Sequence, residues 1–376
     1  MKKILIVRMW PYEIDINNYN CQEIGLAKGF IENKMKCDIV LYTKGKTREE
    51  DYIYEKGNIH IYYLNGKNIL KNCIFESKLY DIASKYDYIQ TCEYDQIGNL
   101  KLRKMFKEKL IIYHGPYESK FTYKYKIKCM ISDFLLFFNK EYKNTICFAK
   151  SKLAENFLRK KGFTNVKTIG VGLDTERFFE ESKVDEKVEF LKKNKGKKKY
   201  ILYIGKIEKR RNVLFLLNAF YKAVNIDNNV ELVLVGKGDK KYLDKCRKFI
   251  FDNNFQDKIH YFEAFNQNEL KQLYECCDLF VLPTYYEIFG MVLLEAMYFG
   301  LPILTTENGG SSTLIEDGKN GYIRNLNNIN EWVKIIGDVQ KDSEVIEKNK
   351  EYIINEYNWT KISKVYLEYL NDGGNI

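Results

Sequence analysis

The sequence predicts an α/β protein made of two doubly wound, Rossmann-like domains. Three observations predict it. Short apolar runs, suited to buried parallel strands, alternate with helical segments along the whole chain. The alternation breaks at one charge-rich stretch, 176–199, which ends in the basic run Lys192–Lys199 and reads as a linker. A length of 376 residues accommodates two domains of about 150–200 residues each. The division is therefore 1–175, a linker 176–199, a second domain 200–357, and a C-terminal helix within 358–376.

In chain order, Ile4–Val7 is a strand, Gln22–Asn33 a helix and Ile39–Tyr42 a strand. Ile59–Tyr63 and Tyr88–Thr91 are strands, with a helical segment around Lys71–Lys85 between them. Leu110–Tyr113 is a strand ending in His114-Gly115. Thr145–Ala149 and Val166–Ile169 bracket a helix, Ser151–Lys161. The second series opens at Tyr200–Ile204 and continues through strands Val230–Val235, Ile259–Phe262, Leu279–Leu282 and Ile303–Thr305. Helices at Asn212–Val224 and Glu331–Gln340 fit the same series, and the tail Trp359–Leu370 is helical.

Hydrophobic residues at 45% and charged residues at 30% are those of a soluble globular protein. Four prolines and abundant Lys, Asn, Ile and Tyr suggest an AT-rich bacterial genome. No apolar run reaches the length of a membrane span. Met1-Lys2-Lys3 before Ile4–Val7 is too short for a signal peptide and reads as the first strand. The nine cysteines are odd in number and have no C-x-x-C spacing, which suits reduced thiols and a cytoplasmic protein. Three histidines without ligand spacing argue against a zinc site.

The stretch Pro283–Gly310 carries the clearest chemistry. Glu287 and Glu295 lie on either side of a strand-to-helix turn at the carboxyl edge of a sheet, where open α/β sheets bind ligands. Gly290 permits close backbone approach, and the first helical N–H groups suit an anion. Glu295, between Leu294 and Ala296, needs partners for a carboxylate among apolar neighbours. A ribose diol supplies two donors. Glu287 is placed to touch whatever the anion carries. The plainer alternative is an ordinary βαβ unit with one surface and one structurally paired glutamate. After Tyr200–Ile204, Gly205 is followed by Lys206, Lys209, Arg210 and Arg211, which suit a diphosphate; a solvated basic loop is the alternative. Gly236 and Phe265 stand at two further strand-to-helix turns.

Taken together, Glu287 and Glu295 with Phe289-Gly290, Leu294-Glu295-Ala296, Gly300-Leu301-Pro302 and Gly309-Gly310 resemble the donor-site signature of retaining glycosyltransferase family 4, the group 1 glycosyltransferases of the GT-B fold, which implies two domains facing a central cleft. The resemblance is dense from Tyr200 to Ile323 and loose in the first domain. It implies a retaining, metal-independent, hexosyltransferase-type enzyme with no cofactor. The donor would be a nucleotide sugar, UDP-linked by family frequency. A glycan, lipid-linked or protein-linked acceptor would bind the first domain, in bacterial surface polysaccharide or glycoconjugate synthesis. By the same resemblance Glu287 holds sugar hydroxyls and Glu295 the ribose. Lys206 and Arg211 stabilise the leaving diphosphate. Gly205, Gly236, Phe265 and the backbone of Phe289, Gly290, Met291 and Val292 contact the donor. His114 matches the family's His-Gly element near the transferred sugar, although a lone histidine is more often structural. The tail helix returns to the first domain. Rival readings are a non-catalytic GT-B partner subunit and a GT-B sugar-nucleotide epimerase or hydrolase.

The sequence departs from the family pattern in places. Lys206 replaces an arginine and Arg211 a lysine. Ala264 replaces a glycine, and Thr313 stands where many members have a glutamate. The first loop, Trp10–Asn20, is long, polar and aromatic where the family often has Gly-Gly-x-Glu. Residues 101–150 hold twelve basic and four acidic side chains. With the aromatic and basic alternation of Phe121–Lys128 this suggests an anionic membrane surface as a partner of residues 101–140, on the inner membrane face; a solvated face over one core helix is the alternative. No motif accompanies the charge that would point to nucleic acid.

Overall fold

The computed structural model describes residues 1–17, 21–175, 178, 186–265, 267–338 and 343–372. The chain forms two compact units. Met1–Asp174 with Tyr357–Ile376 is the first, and Thr175–Glu356 the second.

The first unit holds an eight-stranded sheet. Its spatial order is Val166–Thr168, Ile146–Ala149, Leu110–His114, Tyr88–Cys92, Lys3–Val7, Lys36–Tyr42, Gly57–Leu64 and Arg48–Tyr54. Every pairing is parallel except the last. Strands such as Ile4–Val7 and Leu110–Tyr113 are buried throughout, because helices cover both faces of a parallel sheet and leave no polar side. From Lys3–Val7 the chain moves outward on one side, then returns to Tyr88–Cys92 on the other. The switch point therefore lies beyond Val7 and Cys92.

Helix Trp359–Asn371 packs on helix Gln22–Glu32 within this unit. Two glycines make the approach possible. A Cβ on Gly25 would stand 2.1 Å from Trp359 Nε1, and one on Gly29 2.3 Å from the Trp359 carbonyl oxygen. The Asn33 amide then donates to Thr360 O at 2.9 Å and Ser363 Oγ at 2.8 Å. Tyr366 stacks on Phe148 with centroids 3.9 Å apart.

The second unit has a six-stranded, wholly parallel sheet. The order is Ile259–Phe262, Val230–Val235, Lys199–Ile204, Leu279–Leu282, Ile303–Thr305 and Gly321–Ile323. Its switch point lies between the carboxyl ends of Lys199–Ile204 and Leu279–Leu282.

Three expectations need correction. The helix expected around Lys71–Lys85 is a hairpin, Gly66–Ile69 against Asn72–Phe75, followed by a short helix Lys78–Ala83. Buried Asn72 donates to the carbonyls of Ile69 and Leu70 and closes the turn, with Leu70 and Lys71 left-handed. Strand Arg48–Tyr54 was not expected. It is an exposed, charged edge, so it lacks the alternation that reports a half-buried strand. The expected linker contains helix Glu186–Asn194, whose Val188 and Leu191 are wholly buried in the second unit. Lys192 and Lys193 are exposed on its outer face, and such charge masks the buried stripe. Residues 176, 177 and 179–185 of that stretch lie outside the described residues, as do Asn18–Asn20 of the first loop and Gln340 of an expected helix.

Candidate functional site

At the switch point of the second unit, two glycines stand back to back. A Cβ on Gly236 would lie 1.9 Å from the Gly205 carbonyl oxygen. The strand ends at Ile204 and Val235 therefore close together without side chains between them. Beyond Gly205 the chain exposes Lys206, makes a single turn over Lys209–Arg211, and opens helix Val213–Val224 through left-handed Asn212, a conformation Asn tolerates.

That turn is fastened to the glutamate stretch. The Arg210 carbonyl accepts from Tyr285 N at 2.9 Å and from the Thr284 hydroxyl at 3.3 Å. Arg210 Nη1 donates to Tyr286 O at 2.6 Å and lies 3.4 Å from Glu287 Oε2, while its Nη2 holds Glu208 at 2.8 Å. Arg211 Nη1 forms an ion pair with the same Glu287 oxygen. The structure thus brings Glu287 and Arg211 together and adds Arg210 to them. Lys206 stands apart, at the strand end and in solvent.

Helix Met291–Tyr298 starts from Gly290, which has φ +79°. Its first turn runs through Met291 and Val292, and Leu293 N donates to Gly290 O at 2.8 Å. The double glycine holds the turn before it. A Cβ on Gly309 would meet Ile288 O at 1.7 Å, and one on Gly310 Phe289 O at 1.9 Å. Bare backbone lets Gly309 N donate to Glu287 O at 3.0 Å. Phe289 is buried beneath. Glu295 is 3% exposed and accepts from the Tyr274 hydroxyl at 2.8 Å. Phe265 packs on Phe262, and Tyr261 donates to Gly236 O at 3.1 Å. Phe265 and Gly236 therefore sit on neighbouring turns of the same sheet edge.

His114 lies in the first unit. It is wholly buried, flanked by Tyr94 and stacked on Phe157. Its Nδ1 lies 2.7 Å from Glu93 Oε2, which also accepts from Gly115 N at 3.1 Å. Burial would raise the Glu93 carboxyl, but His114, Lys150 and the Gly115 N–H together hold it below the usual carboxylate range. Glu93 has φ 53°, a conformation costly for a non-glycine residue and common at functional sites. A cavity of about 380 Å³ occupies this switch point. Arg8, Trp10, Glu23, Gln90, Glu93 and Lys150 are among its lining residues. Arg8 Nε pairs with Glu23 at 3.0 Å, and Lys150 Nζ donates to Gln22 at 2.9 Å. Burial opposes the Arg8 charge, yet Glu23 and Tyr12 raise its pKa overall.

Sequence reasoning missed Tyr274, Glu93, Arg8, Glu23 and Lys150. Arg8 and Glu93 immediately follow strands Lys3–Val7 and Tyr88–Cys92, so the strand-end rule that selected Glu287 also points to them. Tyr274 comes from a helix whose polar sequence gave no signal. Among the described residues no group of three His, Cys, Asp or Glu side chains is placed to hold a metal ion, and all nine cysteines are free thiols.

Residues 184–359 match the family model described as glycosyl transferases group 1. An uncharacterized glycosyltransferase of Methanocaldococcus jannaschii is 28% identical over 206 residues, 53% of this chain and 52% of that protein. Spore coat protein SA of Bacillus subtilis is 30% identical over 118 residues, 30% of this chain and 31% of that protein. The chain thus spans about half, or less, of these relatives' length. Among solved structures, the UDP complex of HepE from Anabaena aligns with a TM-score of 0.73 at 16% identity, covering 99% of this chain and 100% of that one. Sucrose-phosphate synthase of Thermosynechococcus elongatus aligns with a TM-score of 0.72, also at 16% identity, covering 99% of each chain. The fold is that of the GT-B glycosyltransferases, and the segment carrying Glu287 and Glu295 is similar to the group 1 glycosyl transferases.

Proposed function

We propose that the protein is a retaining glycosyltransferase that moves a hexose from a nucleotide sugar, UDP-linked, to a glycan, lipid-linked or protein-linked acceptor. The observation that carries the reading is the convergence of Arg210 and Arg211 on Glu287, beside a helix start, at the switch point of the second unit. UDP in the solved HepE complex supports the choice of nucleotide.

In this reading the diphosphate lies against the backbone at the start of this helix, at Met291 and Val292, with Arg211 and Lys206 supplying charge as the leaving group departs. Glu287 holds sugar hydroxyls, its orientation fixed by the two arginines and by Gly309. Glu295 accepts from the ribose diol alongside Tyr274. Gly205, Gly236, Phe265, Phe289 and Gly290 shape the donor pocket through backbone approach and packing. His114 acts through Glu93, whose carboxylate lines the cavity of the first unit and serves the acceptor. The cations take the part a metal would play, so chelator leaves turnover intact.

The test is incubation with UDP-, GDP- and ADP-hexoses, with and without oligosaccharide or glycolipid acceptors, and NMR of the product's anomeric proton. Retained configuration in an acceptor-linked sugar supports the proposal. Inverted configuration contradicts retention. Sugar epimerised or hydrolysed without acceptor assigns the fold to a different reaction. Complete loss with EDTA, restored by Mn²⁺, contradicts the metal-free mechanism.

A further inference from the structure

Helix Tyr123–Phe138 of the first unit is apolar on two faces. One packs inward through Cys129, Ser132 and Leu136, with Lys128 buried against Asp95 at 2.6 Å. Burial pushes the Asp95 carboxyl up even so. Lys128 is thus a core residue, and the expectation that it belongs to a basic surface is corrected. The other face turns Tyr123, Ile127, Met130, Phe134, Phe137 and Phe138 to solvent, and Phe134, Phe137 and Phe138 are each about two-thirds exposed. These positions recur every three to four residues, so they form one stripe. At 1.5 Å per residue it is about 24 Å long. Phe138 meets both Phe134 and Phe137 edge-on.

A solvated helix face is polar; a stripe of this size marks a docking surface. The flanks identify the occupant. On the helical wheel Lys124 borders the stripe on one side and Lys126 on the other, both exposed. Lys120 and Lys140 are exposed beyond its two ends. Asp133, the acid within the helix, is held by Lys161. Two copies of the chain meeting stripe to stripe would bring lysines against lysines. Anionic headgroups would pair with them while the aromatic rings enter the acyl boundary. Among the described residues no helix is long and apolar enough to cross a membrane; this one lies along a surface.

We propose that helix Tyr123–Phe138 docks the protein on an anionic lipid bilayer, with the phenylalanines inserted and the lysines on headgroup phosphates. The test is sedimentation of the full chain with phosphatidylcholine vesicles, with and without phosphatidylglycerol, at low and moderate salt. Wild-type protein is expected in the pellet with the anionic vesicles only, less so as salt rises. The pair Lys124→Glu and Lys126→Glu, and separately Phe134→Ser with Phe138→Ser, should each weaken binding by on the order of tenfold. All four side chains are exposed, and thermal melts check that the fold is kept. Equal recovery in the supernatant with both lipids overturns the proposal, as does binding unchanged in both variant pairs. A dimer in analytical ultracentrifugation that the phenylalanine pair abolishes would assign the stripe to a second copy instead. Sedimentation reads no turnover, so failure here leaves the glycosyl-transfer reading standing.

Discussion

Arg211 and Glu287 form an ion pair across the switch point of the second unit, joining a cation after one strand to a carboxylate after its neighbour. Under the proposed function the pair would couple the leaving-group side of the site to the sugar side. Arg211→Ala should lower kcat by roughly ten- to a hundredfold, since charge on the diphosphate grows toward the transition state. Glu287→Ala should lower turnover more than nucleotide affinity. Because the two side chains touch, the double variant should be non-additive by about 1 kcal/mol or more. Additive losses in a double-mutant cycle of kcat/KM would separate the two roles. Lys206→Ala should also fall in kcat; unchanged kinetics there would leave Lys206 a solvated surface residue.

Tyr274 and Glu295 give a second readout. Tyr274→Phe removes the donor at 2.8 Å from Glu295 and leaves a buried carboxylate short of one partner, at a cost of about 1–3 kcal/mol. Nucleotide affinity should weaken with little change in kcat at saturation. A variant with wild-type stability and affinity would show that the Tyr274 hydroxyl does not orient Glu295.

The double glycine is tested by geometry. Gly309→Ala places a Cβ 1.7 Å from Ile288 O, so backbone must move; the loss should be about 2 kcal/mol or more, with activity impaired beyond it. Gly337→Ala meets nothing within 4 Å and sits in helix Ile329–Asp338, where it should be neutral or stabilising. Thermal melts of the two variants decide it, and equal stability would contradict the packing described.

Glu93 and His114 predict a pH dependence. The depressed Glu93 carboxyl contributes stability above the unfolded carboxyl pKa, about 4.3. That contribution is lost as pH falls through the lower folded value. Glu93→Gln should therefore be less stable near neutrality, by on the order of 1–3 kcal/mol. It should also lose less than wild type between about pH 5 and pH 3. Parallel acid limbs in melting curves would remove Glu93 from the linkage.

The second unit was the more legible in sequence, for a physical reason. Its strands are mostly apolar runs, and its turns hold glycines that no larger residue can replace, so Gly205, Gly236 and Gly309-Gly310 point to the candidate site. The convergence of Arg210 and Arg211 on one carboxylate was not legible, because it depends on how a short turn and left-handed Asn212 aim two neighbouring side chains. In the first unit the strands could be read, but Arg8 and Glu93 come from turns without glycine signals. Strand Arg48–Tyr54 and helix Glu186–Asn194 were hidden by surface charge. The apolar stripe from Tyr123 to Phe138 was visible as composition; that it faces outward follows only from which side of the helix Lys128, Cys129 and Ser132 bury.

Isothermal titration of UDP into wild type and Glu295→Ala asks whether this sheet edge binds a nucleotide through Glu295. Glu295 is buried one to two turns into the helix that opens at Gly290. Wild type should bind one-to-one and saturably, with affinity weakened about tenfold or more in the variant, which loses the acceptor for two ribose hydroxyls. Equal affinity in the two proteins, or no heat with UDP, GDP or ADP on wild type, would contradict it.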